Sequence, residues 1–233
     1  TINGLTVGKG ANSVATNTAL GVTALTANTS GDRNVAIGYE ALLNNTTASS
    51  NTAIGYAALK LNTTGGSNVA LGYGALYQNQ VHSGSTAVGY NALRNSIENY
   101  NTAVGYQALL TTTTGYQNAA LGNNALQLNT TGAVNTAIGG LTLQNNTTGT
   151  RNTAVGYAAL QDNTTGTSLA ALGYQALANN TTGNDNTAVG YQALLTNTTG
   201  FNNVALGYQT LQNNTANNNT AVGYISLQSN TTG

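Results

Sequence analysis

Few residues in this 233-residue chain are equipped for chemistry. His82 is its one histidine, and no second metal ligand stands near it in the stretch QNQVHSGS. Glu40, Glu98, Asp162 and Asp185 occur singly, and Asp32 has only Arg33 beside it. Acid–base catalysis and metal binding need such groups brought together. These carboxylates are spread over different repeats, mostly in turn-rich positions, and no Ser-His-Asp set or phosphate-cradling loop accompanies them. With no Cys in the chain, disulfides, thiolate metal sites and cysteine nucleophiles are excluded. No catalytic residue, metal ligand or cofactor is expected, and no enzymatic activity.

The elements that carry these residues have an unusual make-up. Charged residues are 4% of the chain, against about a quarter in an average globular domain. Pro, Met and Trp are absent, while Gly numbers 29 and Tyr 13. Five basic and five acidic side chains give a net charge of zero, which provides neither a nucleic-acid footprint nor a basic membrane patch. No apolar run approaches the roughly 20 residues of a membrane span, so membrane insertion is not expected. The chain starts at Thr1, with no signal peptide before it, and stops on NTTG, so it reads as a mature product or an excerpt of a longer one.

Repetition decides the architecture. Glycines of an Ala-aliphatic-Gly triplet recur at Gly21, Gly38, Gly55, Gly72, Gly89, Gly105, Gly122, Gly139, Gly156, Gly173, Gly190, Gly207 and Gly223, at intervals of 17 with two of 16. Gly8, in LTVG, marks a divergent first coil. Residues 1–16 therefore read as a lead-in and 17–233 as one repeat array.

Each column of the repeat has a job. The residue before the glycine is always aliphatic and the fourth after it is always Leu. These columns, represented by Val104, Leu109, Leu121, Leu126, Val155, Leu160, Val189 and Leu194, are expected to form the core ladder. Two places before the glycine stands Ala in every unit. A column that admits only Ala, such as Ala103, Ala120, Ala154 and Ala188, suggests close approach by other backbone, and is expected to make subunit contacts. Directly after the glycine, ten of thirteen units carry Tyr, among them Tyr106, Tyr157, Tyr174, Tyr191 and Tyr208. This Tyr ladder lies either between subunits or on the surface of one chain.

The alternation before each glycine favours a strand, the glycine a bend, and the following Asn, Thr and Gly a turn. A strand, a corner, a second short strand and a turn fit 17 residues. Helix-pair repeats usually need more than 30 residues, and half of each unit here is Asn, Thr, Gly and Ser. The expected fold is all-β, a parallel β-solenoid of stacked coils. Stacking sets equivalent residues about 4.8 Å apart. A charged column would then cost roughly 1 kcal/mol per pair even in water, and Pro could not join the ladder. Thirteen intervals from Gly8 to Gly223 predict a rod about 60 Å long. So thin a roll buries little, and side-by-side association of identical chains, three for preference, is expected.

The units NTAVGYQALLTNTTG, NTAIGYAALKLNTTG and NVALGYQTLQNNTANN resemble repeats of bacteriophage tail fibres, including those of phages that infect cyanobacteria. The opening TINGLTVGKGANSVATNTALG is similar to the lead-in of such repeats. The strand-and-glycine core also resembles the heads of YadA-like trimeric adhesins, although their repeats are commonly shorter than 17. The resemblance implies a left-handed roll, a homotrimer, and a structural shaft on a virion or cell surface that supports host attachment. Partners would be the chain itself, other fibre or appendage components, and cell-surface glycan. A subunit of an extracellular filament is an alternative of the same structural kind, and two readings of another class compete. Recurring Thr pairs such as Thr46-Thr47 and Thr147-Thr148 suggest ice binding, although adjacent strand residues point to opposite faces. Exposed Tyr and Asn ladders would suit glycan. The turn pattern fails at His82 and Ile97, which are the expected hinge or loop sites.

Overall fold

The computed structural model describes residues 6–231. The chain falls into two compact units, Thr1–Tyr116 and Gln117–Gly233, and each is a parallel β-solenoid. In the first, strands Thr18–Gly21, Val35–Ile37, Thr52–Ile54, Val69–Leu71, Thr86–Val88 and Thr102–Val104 pair in parallel and in register, so Ala36 faces Ala53 and Ala53 faces Ala70. In the second, Ala119–Leu121 begins a run of seven such strands that ends at Thr220–Val222. There is no α-helix among the described residues.

Three residues are in strand geometry per coil because the glycine that follows ends it. Gly156 has φ +129°, a conformation that L side chains rarely adopt, and a Cβ there would lie 2.4 Å from the Gly173 carbonyl of the next coil. Coils stack backbone on backbone at this corner, so no side chain fits.

Two expectations are corrected. Thr6–Gly8 is not a first coil of the array: it runs antiparallel to Thr18–Gly21, pairing Thr6 with Gly21 and Gly8 with Ala19, and so covers the edge of the first unit's sheet. The second short strand does not form either. The residues after the glycine make consecutive turns, in which the second and fourth, as in Gln192 and Leu194, both have φ +53°. Their N–H groups bond in opposite directions, Gln192 to the Tyr174 carbonyl of the coil before (2.9 Å) and Leu194 to the Thr210 carbonyl of the coil after (3.1 Å). A left-handed residue costs about 1–2 kcal/mol, whereas full burial of a Leu side chain contributes about 1.5–3 kcal/mol. Burial wins, and the column keeps Leu.

Turns continue where the sequence pattern breaks. At His82 the main-chain carbonyl accepts from Asn68 Nδ2 (2.9 Å) and Asn79 Nδ2 (3.0 Å), as Gly65 does from Asn51 and Asn62 one coil earlier. Ile97 N–H bonds the Thr113 carbonyl (3.2 Å).

Candidate functional site

The interior is made by the column expected at subunit contacts. Ala103, Ala120, Ala154 and Ala188 are fully buried inside their own coils, as are Leu109, Leu126, Leu160 and Leu194. By contrast Val104 is 38% and Leu121 41% exposed, and Val155 and Val189 are half-buried. The strand faces are therefore the reverse of the expectation. A Leu from the opposite wall fills each coil, and the space left at the strand admits a methyl group and nothing larger. Strand alternation then sends the residues on either side of each Ala outward together.

Asn does more than turn the chain. One column, four places before the glycine, includes Asn34, Asn51, Asn135 and Asn152; another, seven places after it, includes Asn129, Asn146, Asn163 and Asn180; all are buried. Asn163 Nδ2 donates to Asn146 Oδ1 (2.8 Å) and to its own turn's Gly166 carbonyl (3.1 Å), and Asn180 Nδ2 donates to Asn163 Oδ1 (2.9 Å). In the other column, Asn135 Oδ1 accepts from Asn152 N–H (3.0 Å), while Asn152 Nδ2 reaches the Gly166 carbonyl (2.9 Å). Each ladder satisfies polar groups that would cost about 1–3 kcal/mol apiece if left bare. The 16-residue interval near the C-terminus breaks one of them. Asn214 Nδ2 turns to Ala216, and Asn197 Oδ1 is left buried without a partner. The sequence signal was present, an Asn at fixed phase in most units, with Ser85 and Leu169 as the exceptions in one column and Ser96 and Thr112 in the other, but it is indistinguishable from a turn preference.

Tyr rings stand on the outside. Tyr39, Tyr56, Tyr73, Tyr90 and Tyr106 stack at 4.9–5.3 Å in the first unit. In the second, Tyr157, Tyr174, Tyr191, Tyr208 and Tyr224 stack at 5.1–5.7 Å. All are exposed. Because ring faces are turned to one another, edges meet the solvent, and no sugar can lie flat on a ring inside the ladder.

The Thr pairs behind the competing ice-binding reading are divided in use. The first of the pair donates its hydroxyl to the next coil's carbonyl at Thr46, Thr63, Thr130, Thr147, Thr164 and Thr181, as Thr147 Oγ1 does to Thr164 (3.0 Å). The second, such as Thr148 or Thr165, is exposed.

His82 is half-buried, and its Nδ1 lies buried without a hydrogen-bond partner. No group of three or more His, Asp or Glu stands together among the described residues. No helix among them is long and apolar enough to cross a membrane. In the first unit Lys60 Nζ lies 2.7 Å from Glu40 Oε2, and this carboxylate holds the ammonium above its ordinary value of 10.5. Half-buried Asp32 is held below its ordinary range by a hydrogen bond from Ser49 and by Arg33. Comparison with protein-family models, curated proteins and solved structures gives no match.

Proposed function

We propose that this chain is a shaft segment of an appendage, of viral tail-fibre or cell-surface adhesin type, which mechanically supports attachment to a host or surface. One observation carries this reading: the strand face opposite the Ala core is an aliphatic column, in which Leu121, Ile138 and Leu172 of the second unit are 41–50% exposed. A contiguous apolar face of this kind marks an interaction surface, and covering it stabilises by roughly 25 cal/mol per Å². The occupants are further copies of the chain, three in all, the number that the adhesin resemblance implies. Identical copies suit it because ladders without charge meet with no repulsion. Other fibre components would join at the ends, on a virion or outside a cell.

Sedimentation velocity of the full chain tests the reading. A mass three times 23.5 kDa is expected, with Leu172→Asp dissociating the assembly while sheet content by circular dichroism is kept. A stable wild-type monomer would overturn it. The free Thr and aliphatic face would then call for a thermal-hysteresis assay of ice binding.

A further inference from the structure

Two places beyond the column glycine, four successive coils carry Glu40, Ala57, Gly74 and Asn91. The two middle rungs have almost no side chain, and a depression of about 150 Å³ opens there at the surface of the first unit. Tyr56 and Tyr73 line it on one side, and Lys60, Tyr77 and Arg94 on the other. In this column its lining runs from Glu40 through Ala57 to Gly74, two rungs or about 10 Å.

This hollow concentrates what the rest of the chain avoids. Three of the ten charged side chains, Glu40, Lys60 and Arg94, stand around it. Lys60 from the coil before and Arg94 from the coil after both pack on the Tyr77 ring, at 5.7 and 5.0 Å from its centroid, so the ring separates two cations. Lys60 is neutralised by Glu40. Arg94 has no carboxylate partner among the described residues: its Nη1 donates to Asn91 Oδ1 (3.1 Å). That oxygen lies 2.5 Å from where a Cβ on Gly74 would fall, so the glycine makes room for the amide that orients the guanidinium. The three charges sum to one positive charge, and it belongs to Arg94.

We propose that this depression binds one carboxylate-bearing sugar ring, a hexuronate, with Arg94 holding the carboxylate. Guanidinium matches a carboxylate with two parallel N–H bonds. A volume far below the roughly 300–1,000 Å³ of drug-sized sites admits a single ring. A bare anion would leave the exposed edges of Tyr56 and Tyr73 wet. A sugar ring covers them with C–H groups, and offers hydroxyls to the Glu40 carboxylate, which also lines the hollow. The inference is independent of the assembly proposed above, since the hollow lies within one chain.

Isothermal titration of the full chain with sodium glucuronate tests it, with glucose, acetate and inorganic sulfate as the other probes. Glucuronate should bind, and glucose at least about tenfold more weakly, the loss expected for a charge-assisted pair. Arg94→Gln should weaken glucuronate by about tenfold or more with an unchanged circular dichroism spectrum, and Arg94→Lys should restore part of the affinity. Ala57→Gln, which fills the hollow with the side chain that the second unit stacks in the same column, should abolish binding by another route. The proposal is overturned by no glucuronate binding, by acetate or sulfate binding as tightly as glucuronate, or by affinity unchanged in either Arg94→Gln or Ala57→Gln.

Discussion

At the outer corner the first unit sets Glu40, Ala57, Gly74 and Asn91 beside Lys60, Tyr77 and Arg94, whereas the second sets Gln175, Gln192 and Gln209 beside Gln212 and Gln228. The glutamines close that corner with amide bonds. Gln192 Nε2 donates to Gln175 Oε1 (2.9 Å), Gln209 Nε2 to Gln192 Oε1 (3.2 Å), and Gln212 Nε2 to the same oxygen (3.0 Å). In the first unit the equivalent positions hold a cation–ring–cation stack around an open hollow. Beneath both corners the buried columns are alike: Ala at the strand, Leu opposite, Asn at either end. Inside, a changed residue loses packing or strands a neighbour's polar group; outside, water accepts the change. Individual character is therefore concentrated in the outward columns, with few exceptions inside such as Ser85, Thr112 and Leu169.

Substitutions can break this comparison or sharpen it. The largest effect is expected from Leu59→Asp and Leu177→Asp, one in each unit, since both bury a charge with no partner. Each should lower stability by about 3–5 kcal/mol, read from urea midpoints followed by circular dichroism. A loss in one unit only would refute a shared interior. Next come Asn62→Ala and Asn180→Ala, each of which removes a ladder amide that both donates and accepts. About 1–3 kcal/mol should be lost in either unit, because buried neighbours are left bare. Gln192→Ala should cost least, about 0.5–1.5 kcal/mol, as its partners regain water. It opens a gap in the second unit's corner but supplies no cation, so glucuronate binding by Arg94→Gln should not be rescued when the two changes are combined. Rescue would show that shape alone makes the site.

Much of this was legible before any coordinates. An Ala, a Gly and a Leu at fixed phase in a 17-residue period dictate stacked coils, and the ladders explain why Pro and charge are so rare. The hollow was not legible. Glu40 was visible as an isolated carboxylate, but Lys60, Tyr77 and Arg94 are 17 residues apart, and only stacking makes them neighbours. Nor could the sequence distinguish Asn146 as a buried ladder amide from Asn146 as a turn former, because both roles demand a short side chain that bonds nearby backbone.

The sequence by itself determined the period, the strand, the place of each bend and the identity of the Leu column. Period-two alternation also required that Val104 and Thr102 share one face and Ala103 take the other. Which face turns inward was decided by tertiary structure. Leu109, in a left-handed conformation across the coil, points into the interior and leaves the strand room for a methyl group. Volume, a property of two walls together, put alanine inside and valine in water.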